Sequence, residues 1–159
     1  MLGLRRQPLI RAPDVEELPA LSELCMRSKA VWGYDAAFME ACRRELTIDA
    51  SDLASTGIAV AVQGDRLLGV AQVRMTAGDE ADLVKLFVEP AAMRNGVGRA
   101  LFAWAKDAAR GLGAVRMVIE ADPEAVPFYR RLGARDAGLV PSGSIAGRML
   151  PKLVFELRA

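Results

Sequence analysis

The chain has 159 residues, of which 52% are hydrophobic, so it can bury a core of ordinary size without metals or disulfides. Its 21 Lys and Arg residues nearly balance its 20 Asp and Glu residues, which excludes the global basic field that attracts nucleic acid or anionic lipid. Histidine is absent, which excludes histidine-based catalytic triads and histidine-ligated zinc. We therefore expect one domain over residues 1–159, with no nucleic-acid or membrane partner and no metal.

The first half of the chain predicts a strand, two helices and a hairpin. Apolar residues repeat at intervals of three and four in both helical segments, Asp35 can cap the second, and aliphatic runs flank the Gly64-Asp65 turn. The predicted elements are a strand at 8–12, helices at 13–33 and 35–46, a polar connection at 47–56, and strands at 57–63 and 66–75.

The second half predicts two further helices and four strands. A glycine turn follows the first of these strands, and a right-handed crossover through the next helix makes the following strand parallel to it. The predicted elements are strands at 82–89, 115–121, 134–140 and 150–157, with helices from the glycine turn to about 110 and at 123–133. This order predicts a mixed α+β sheet.

Both cysteines lie in helical, partly apolar segments. We expect Cys25 and Cys42 to be packed, reduced thiols, which favours a cytoplasmic protein.

The turn that contains Gly96 and Gly98 is the strongest functional signal. The first amides of a helix lack intrahelical partners, and glycine lets an anion approach them. Arg94 and Arg99 lie close by and suit phosphate oxygens. The simpler alternative is that the two glycines only form the loop that precedes the helix. A dinucleotide fold is a weaker one, because its glycine turn belongs in an early βαβ unit.

Two motifs in order make the chain resemble the GNAT superfamily of acetyl-CoA-dependent N-acyltransferases. The first is Val88-Glu89-Pro90 followed by MRNGVGRAL at 93–101, which matches a strand end and a Q/R-x-x-G-x-G/A turn. The second is IEADPEAVPFYRRLGA at 119–134, which matches a strand and a helix with the F-Y-x-x-x-G pattern. Met93 replaces the usual Gln or Arg and Asp122 a frequent Asn, which puts a side-chain contact to pantetheine in doubt.

The resemblance implies a mostly antiparallel sheet of six to seven strands flanked by about four helices, with a splayed parallel strand pair that forms the cleft for the cosubstrate, acetyl-CoA. Backbone amides of the turn would hold the pyrophosphate, and the edge of the preceding strand would hydrogen-bond the pantetheine. The implied cofactor-binding residues are Leu86, Phe87, Val88, Arg94, Asn95, Gly96, Val97, Gly98, Arg99 and Ala100.

Two residues are candidates for the chemistry. The resemblance assigns Tyr129 to the family tyrosine that protonates the departing thiolate in many members. Asp82 precedes Met93 by eleven residues, where histone-acetylating relatives carry a glutamate base. Glu120, Asp122, or water alone are alternative routes for the proton, and a strand-end charge is the plain interpretation of Asp82.

The acceptor pocket is expected between the first two helices and the last loop. Trp32 and Tyr34 at the helix junction and Arg148 in the glycine-rich loop at 141–148 are the candidate substrate contacts, with a packed aromatic corner as the alternative. Dimerisation through the late strands, common in similar folds, stays open. We expect an N-acetyltransferase acting on a primary amine of a small molecule or peptide. The alternatives are a non-catalytic acyl-CoA sensor and a nucleotide-binding domain.

Overall fold

A computed structural model describes residues 7–158, which form one sheet with helices on both faces. The described strands are β1 (Leu9–Arg11), β2 (Gly57–Gln63), β3 (Arg66–Met75), β4 (Glu80–Val88), β5 (Arg116–Glu120), β6 (Arg135–Pro141) and β7 (Met149–Glu156). The helices are α1 (Leu18–Ala30), α2 (Ala36–Leu46), α3 (Ala50–Ser55), α4 (Val97–Gly111) and α5 (Val126–Arg131).

The strands lie in the order β1-β2-β3-β4-β5-β7-β6, and every neighbouring pair is antiparallel except β4 and β5. A parallel pair needs a crossover connection, and α4 supplies it. The predicted fold class, a mostly antiparallel mixed sheet with one parallel pair, is confirmed.

Local signals explain most element boundaries. The Asp35 side chain accepts a hydrogen bond from the Phe38 amide and starts α2, as predicted. The prediction of a plain polar connection at 47–56 is wrong, because α3 forms there. Asp49 and Asp52 make a reciprocal capping box, which satisfies the first amides of this short helix.

The sheet buries a different helix pair on each face. On one face α4 and α5 cover β3, β4 and β5, with Phe102, Met117 and Ile119 at the centre of this core. On the other face α1 and α2 cover β2 and β3. Both cysteines are free thiols that are buried in this second core. We call the two faces the α4 face and the α1 face. Among residues 7–158, no helix is both long and apolar enough to span a bilayer.

Candidate active site

The parallel strands β4 and β5 pair over only part of their length, and we call the gap where they separate the opening. The strands pair only from Glu80 opposite Arg116 to Asp82 opposite Val118, and β4 then continues to Val88 without β5 beside it. A bulge lies at the divergence, because Lys85 faces Gln72 and Leu83 faces Val73 on β3, which leaves Val84 as an extra residue. A bulge bends its strand and increases the local twist. The bend therefore separates β4 from its parallel neighbour.

The free edge of β4 presents backbone groups of Leu86 and Val88. The Glu89 amide donates to the Leu68 carbonyl at 2.8 Å, so Glu89 faces β3. Residues of an antiparallel strand alternate in the direction of their N–H and C=O groups, so Phe87 also faces β3 while Leu86 and Val88 face the opening. The Phe87 side chain packs on the α1 face. Of the three predicted strand contacts, two thus expose their amides to the opening.

The glycine turn ends β4 and begins α4 with a row of free amides. Gly96 caps α4 at φ +83° and Arg94 has φ +66°, a conformation that costs a non-glycine residue about 1–2 kcal/mol. The Ala100 amide donates to the Gly96 carbonyl at 3.0 Å and closes the first helical turn. Within residues 7–158, no group accepts a hydrogen bond from the amides of 94–99. Six consecutive amides, but not that of Ala100, therefore lack a hydrogen-bond partner in the described part of the chain.

The two glycines of the turn have different roles. A Cβ on Gly96 would meet nothing within 4 Å, so this residue is required for its backbone conformation alone. A Cβ on Gly98 would lie 3.2 Å from Phe128 Cζ, tighter than ordinary contact. Gly98 therefore lets α5 close against the first turn of α4. Asn95, Arg94 and Arg99 are exposed, while Val97 anchors the helix start in the core.

Tyr129 lies on the α4 face behind β5. Its ring is 6% exposed and packs against Phe102 and Phe128, with centroids 6.0 and 5.1 Å away. Burial raises the pKa of the Tyr129 hydroxyl above its ordinary value, so the group stays protonated at neutral pH. The hydroxyl has no hydrogen-bond partner in the described part of the chain. Every fully buried polar side-chain atom in that part does have a partner, so the Tyr129 hydroxyl is not fully buried. The hydroxyl therefore reaches accessible space.

Asp82 lies at the base of the opening on the α1 face. Its Oδ2 is 3.5 Å from Nη2 of Arg74 on β3. Burial raises the pKa of Asp82, and Arg74 opposes that shift. Partial burial, followed by the charges of Asp82 and Glu45, raises the pKa of Glu120 at the end of β5. Asp82 is thus a carboxylate with a raised proton affinity at the junction of the two faces.

A second polar cluster lies at the far end of the opening and joins three predicted or suspected residues. The Tyr34 hydroxyl donates to Asp122 Oδ2 at 2.6 Å and accepts from Arg148 Nη2 at 2.7 Å. Lys29 Nζ is 3.6 Å from the same Asp122 oxygen. Tyr34 stacks on Phe38 with centroids 4.1 Å apart. Burial and the Asp122 carboxylate raise the pKa of Tyr34 to about 12.

Loop 142–148 packs against this cluster and the α1 face. Arg148 joins the loop to Tyr34, Ser144 donates to Glu45 on α2, and Ile145 packs into the α1-face core. Trp32 is 40% exposed and is not among the partners of this cluster. The structure therefore brings Tyr34 and Arg148 together and leaves Trp32 at the surface.

A comparison of the sequence with models of protein families identifies the family. A family model described as the acetyltransferase (GNAT) domain matches residues 21–139. The chain belongs to the GNAT acetyltransferase family. It is accordingly an acyltransferase, and the resemblance carried by the glycine turn and the Phe-Tyr motif is confirmed. No curated protein sequence matches the chain.

Solved GNAT structures share the fold at low sequence identity. The PaiA N-acetyltransferase of Thermoplasma acidophilum, solved with coenzyme A, is 16% identical, covers 95% of this chain and 99% of its own, and has a TM-score of 0.76. YncA of Salmonella typhimurium, a putative acetyltransferase solved with acetyl-CoA, is 21% identical, covers 97% of this chain and 96% of its own, and has a TM-score of 0.70. The ribosomal-protein-S18-alanine N-acetyltransferase of Escherichia coli is 19% identical, covers 95% of this chain and 94% of its own, and has a TM-score of 0.68.

Two residues of this cluster gave little sequence signal as contacts of Tyr34. Phe38 has the pattern of an ordinary helix residue, and the sequence indicates Asp122 only as a departure from a family asparagine and as an alternative route for the proton. Asp122 is 88 residues from Tyr34 in sequence, and Arg148 is 114 residues from it. Contacts at such separations follow from the sheet topology alone.

Proposed function

We propose that this single domain transfers an acetyl group from acetyl-CoA to a primary amine, which attacks the thioester directly. The observation that carries the proposal is the run of six free amides at residues 94–99 beside the free edge of β4. Free amides at a helix start bind phosphate, and an unpaired strand edge binds an extended, amide-containing chain. Coenzyme A contains both groups in sequence.

The residues present fit acetyl-CoA on two independent features. The turn supplies amides next to the exposed Arg94 and Arg99, which suit the pyrophosphate. Leu86 and Val88 present N–H and C=O groups to the opening, which suit the amides of pantetheine. Acetyl-CoA supplies the activated acetyl thioester. This chain supplies its anchorage and its orientation across the sheet.

We assign two groups of the chain to assist the transfer. The Leu86 amide, further from the turn than that of Val88, is the donor we assign to the acetyl carbonyl oxygen, where it stabilises negative charge. One such donor is typically worth about 10²- to 10³-fold in rate. The Tyr129 hydroxyl holds its proton at neutral pH because burial raises its pKa, and it reaches accessible space. It is the group we assign to protonate the departing sulfur.

The acceptor enters from the α1 face, where the charged side chains lie. A lysine-like amine with a pKa of about 10.4 is neutral in only about 1 in 2,500 molecules at pH 7, so a base raises the reactive fraction. Asp82 lies at the base of the opening, and its raised pKa makes it a better proton acceptor than an exposed aspartate. We assign the base role to Asp82.

Free-thiol release from acetyl-CoA in the presence of a panel of amines tests the proposal. We expect thiol release that depends on both the enzyme and the amine. Binding of acetyl-CoA without any amine-dependent thiol would contradict transfer and favour an acyl-CoA sensor. Thermal stabilisation by NAD or ATP, with none by coenzyme A, would contradict the assigned cosubstrate.

A further inference from the structure

The cluster at the far end of the opening holds two cations for one carboxylate. Lys29 and Arg148 each lie 3.6 Å from Asp122 Oδ2, beyond ordinary hydrogen-bond length. The Asp122 oxygens already accept the Tyr34 hydroxyl and the Glu124 amide. One positive charge in this cluster therefore has no counter-ion among its members.

Both cations keep spare donors although they are largely buried. The side chains of Lys29 and Arg148 are 15% and 19% exposed. Arg148 packs over the Tyr34 and Phe38 rings and uses a single N–H, toward the Tyr34 hydroxyl, within the described residues. The Lys29 ammonium lies 5.6 Å from the Tyr34 ring centroid and donates to none of those residues. Fixed, half-desolvated donors of this kind favour an anion.

The position of the cluster relates this anion site to the reacting end of the cleft. Asp122 comes four residues after Val118, where pairing with β4 ends, and Leu86 comes four residues after Asp82. Asp122 lies two residues beyond the end of β5, on the side of the opening opposite the free edge of β4. The last turn of α1 spans this gap, because Arg27 pairs with Glu89 at 2.6 Å on the β4 side while Lys29 approaches Asp122.

We propose that the acceptor is a small amine that also carries a carboxylate, and that Lys29 and Arg148 bind this carboxylate. This inference rests on the transferase function proposed above. The two cations lie across the opening from the free edge of β4, and α1 contacts both sides, so the carboxylate and the attacking amine are separated by few bonds. An amino acid satisfies this geometry. A simple alkylamine leaves the surplus charge unpaired.

Matched acceptor pairs test this class directly. Thiol release is measured for free α-, β- and γ-amino acids and for the same compounds as carboxamides, with wild-type protein and the variants Arg148→Gln and Lys29→Met. The carboxamide lowers the pKa of the neighbouring ammonium and so favours the amide as nucleophile, which biases the comparison against the proposal. Arg135→Gln serves as the control, because Arg135 pairs with Glu156 on the distant β6–β7 pair.

We expect at least one amino acid to exceed its carboxamide in kcat/KM by about 10- to 100-fold, the range of charge-assisted hydrogen bonds. Each variant should reduce that ratio toward one, and the control should retain it. A purely structural role of Arg148 or Lys29 would lower both rates and preserve the ratio, which would overturn the inference. Equal rates for every acid and its amide would also overturn it while the transferase function stands. If none of the amines causes thiol release, both the transferase function and the acceptor class are contradicted.

Discussion

The two faces of the β4–β5 opening offer a ligand different kinds of groups. On the α4 face the available groups are backbone amides of residues 94–99 and the edge of β4, set among apolar side chains. On the α1 face the available groups are charged side chains such as Asp82, Lys29 and Arg148. Backbone recognition tolerates most side chains, so the donor face suits one invariant ligand. Side-chain recognition can be changed residue by residue, so we expect specificity for the proposed acceptor to reside on the α1 face.

The largest expected effect is on the α4 face, from Tyr129→Phe. Loss of the hydroxyl should lower kcat by about 10²- to 10⁴-fold, because it removes the proton donor to sulfur. Acetyl-CoA affinity should be nearly unchanged, since the ring and its packing remain. Steady-state kinetics together with equilibrium titration of coenzyme A measure the two quantities separately. Unchanged turnover would remove Tyr129 from the chemistry.

The next effect is expected from Leu86→Pro, which deletes one N–H at the free edge of β4. That amide is outside the β3 ladder, so the strand can tolerate proline there. We expect kcat to fall by about 10²- to 10³-fold, with Leu86→Ala as the matched control that keeps the amide. Equal activity of the two variants would show that the Leu86 amide stabilises no developing charge.

On the α1 face, Asp82→Asn should lower the rate at pH 7 by about 10²-fold and remove an acidic limb from the pH–rate profile. In the wild type this limb lies above the ordinary aspartate value of about 3.9, because burial raises the pKa. The loss should shrink at high pH, where the amine deprotonates by itself. A wild-type limb that persists in the variant would exclude Asp82 as the base.

Stability separates this role from a structural one. Because the pKa of Asp82 is higher in the folded state than in the unfolded state, the protonated form favours folding and the ionised form opposes it. The stability that protonation contributes is complete below the unfolded-state pKa and is lost as the pH rises through the folded-state pKa. Asp82→Asn should therefore keep or raise Tm at pH 7. A clear fall in Tm would instead assign the aspartate to holding Arg74.

The smallest effect is expected from Gly96→Ala. The left-handed conformation of residue 96 costs alanine about 1–2 kcal/mol. If the turn of the variant relaxes to avoid this strain, coenzyme A binding must restore the conformation, and its affinity should fall by about 10-fold. Gly113→Ala is the matched control, because Gly113 lies at the other end of α4 with φ +91° and open space around it. Both variants should lose similar stability. Equal losses of affinity would contradict a specific role of the turn.

The sequence predicts the turn of the α4 face more completely than the contacts of the α1 face, for one physical reason. It names Tyr34 and Arg148 as candidates but not Asp122 as their shared partner. Strand periodicity, Pro90 and the Gly96–Gly98 turn are local signals, and together they locate a free strand edge next to free amides. The pairing of Tyr34 with Asp122 and Arg148 depends on strand order β5-β7-β6, which places distant segments together. Helix α3 was missed because six residues with a capping box lack a visible apolar repeat.

A crystal structure with coenzyme A bound tests most directly whether the opening between β4 and β5 is where the two faces meet. We expect the pyrophosphate on the amides of residues 94–99, the pantetheine along Leu86 and Val88, and the sulfur within hydrogen-bond reach of Tyr129 Oη. Coenzyme A bound elsewhere, or a sulfur remote from both Tyr129 and the α1 face, would contradict the account.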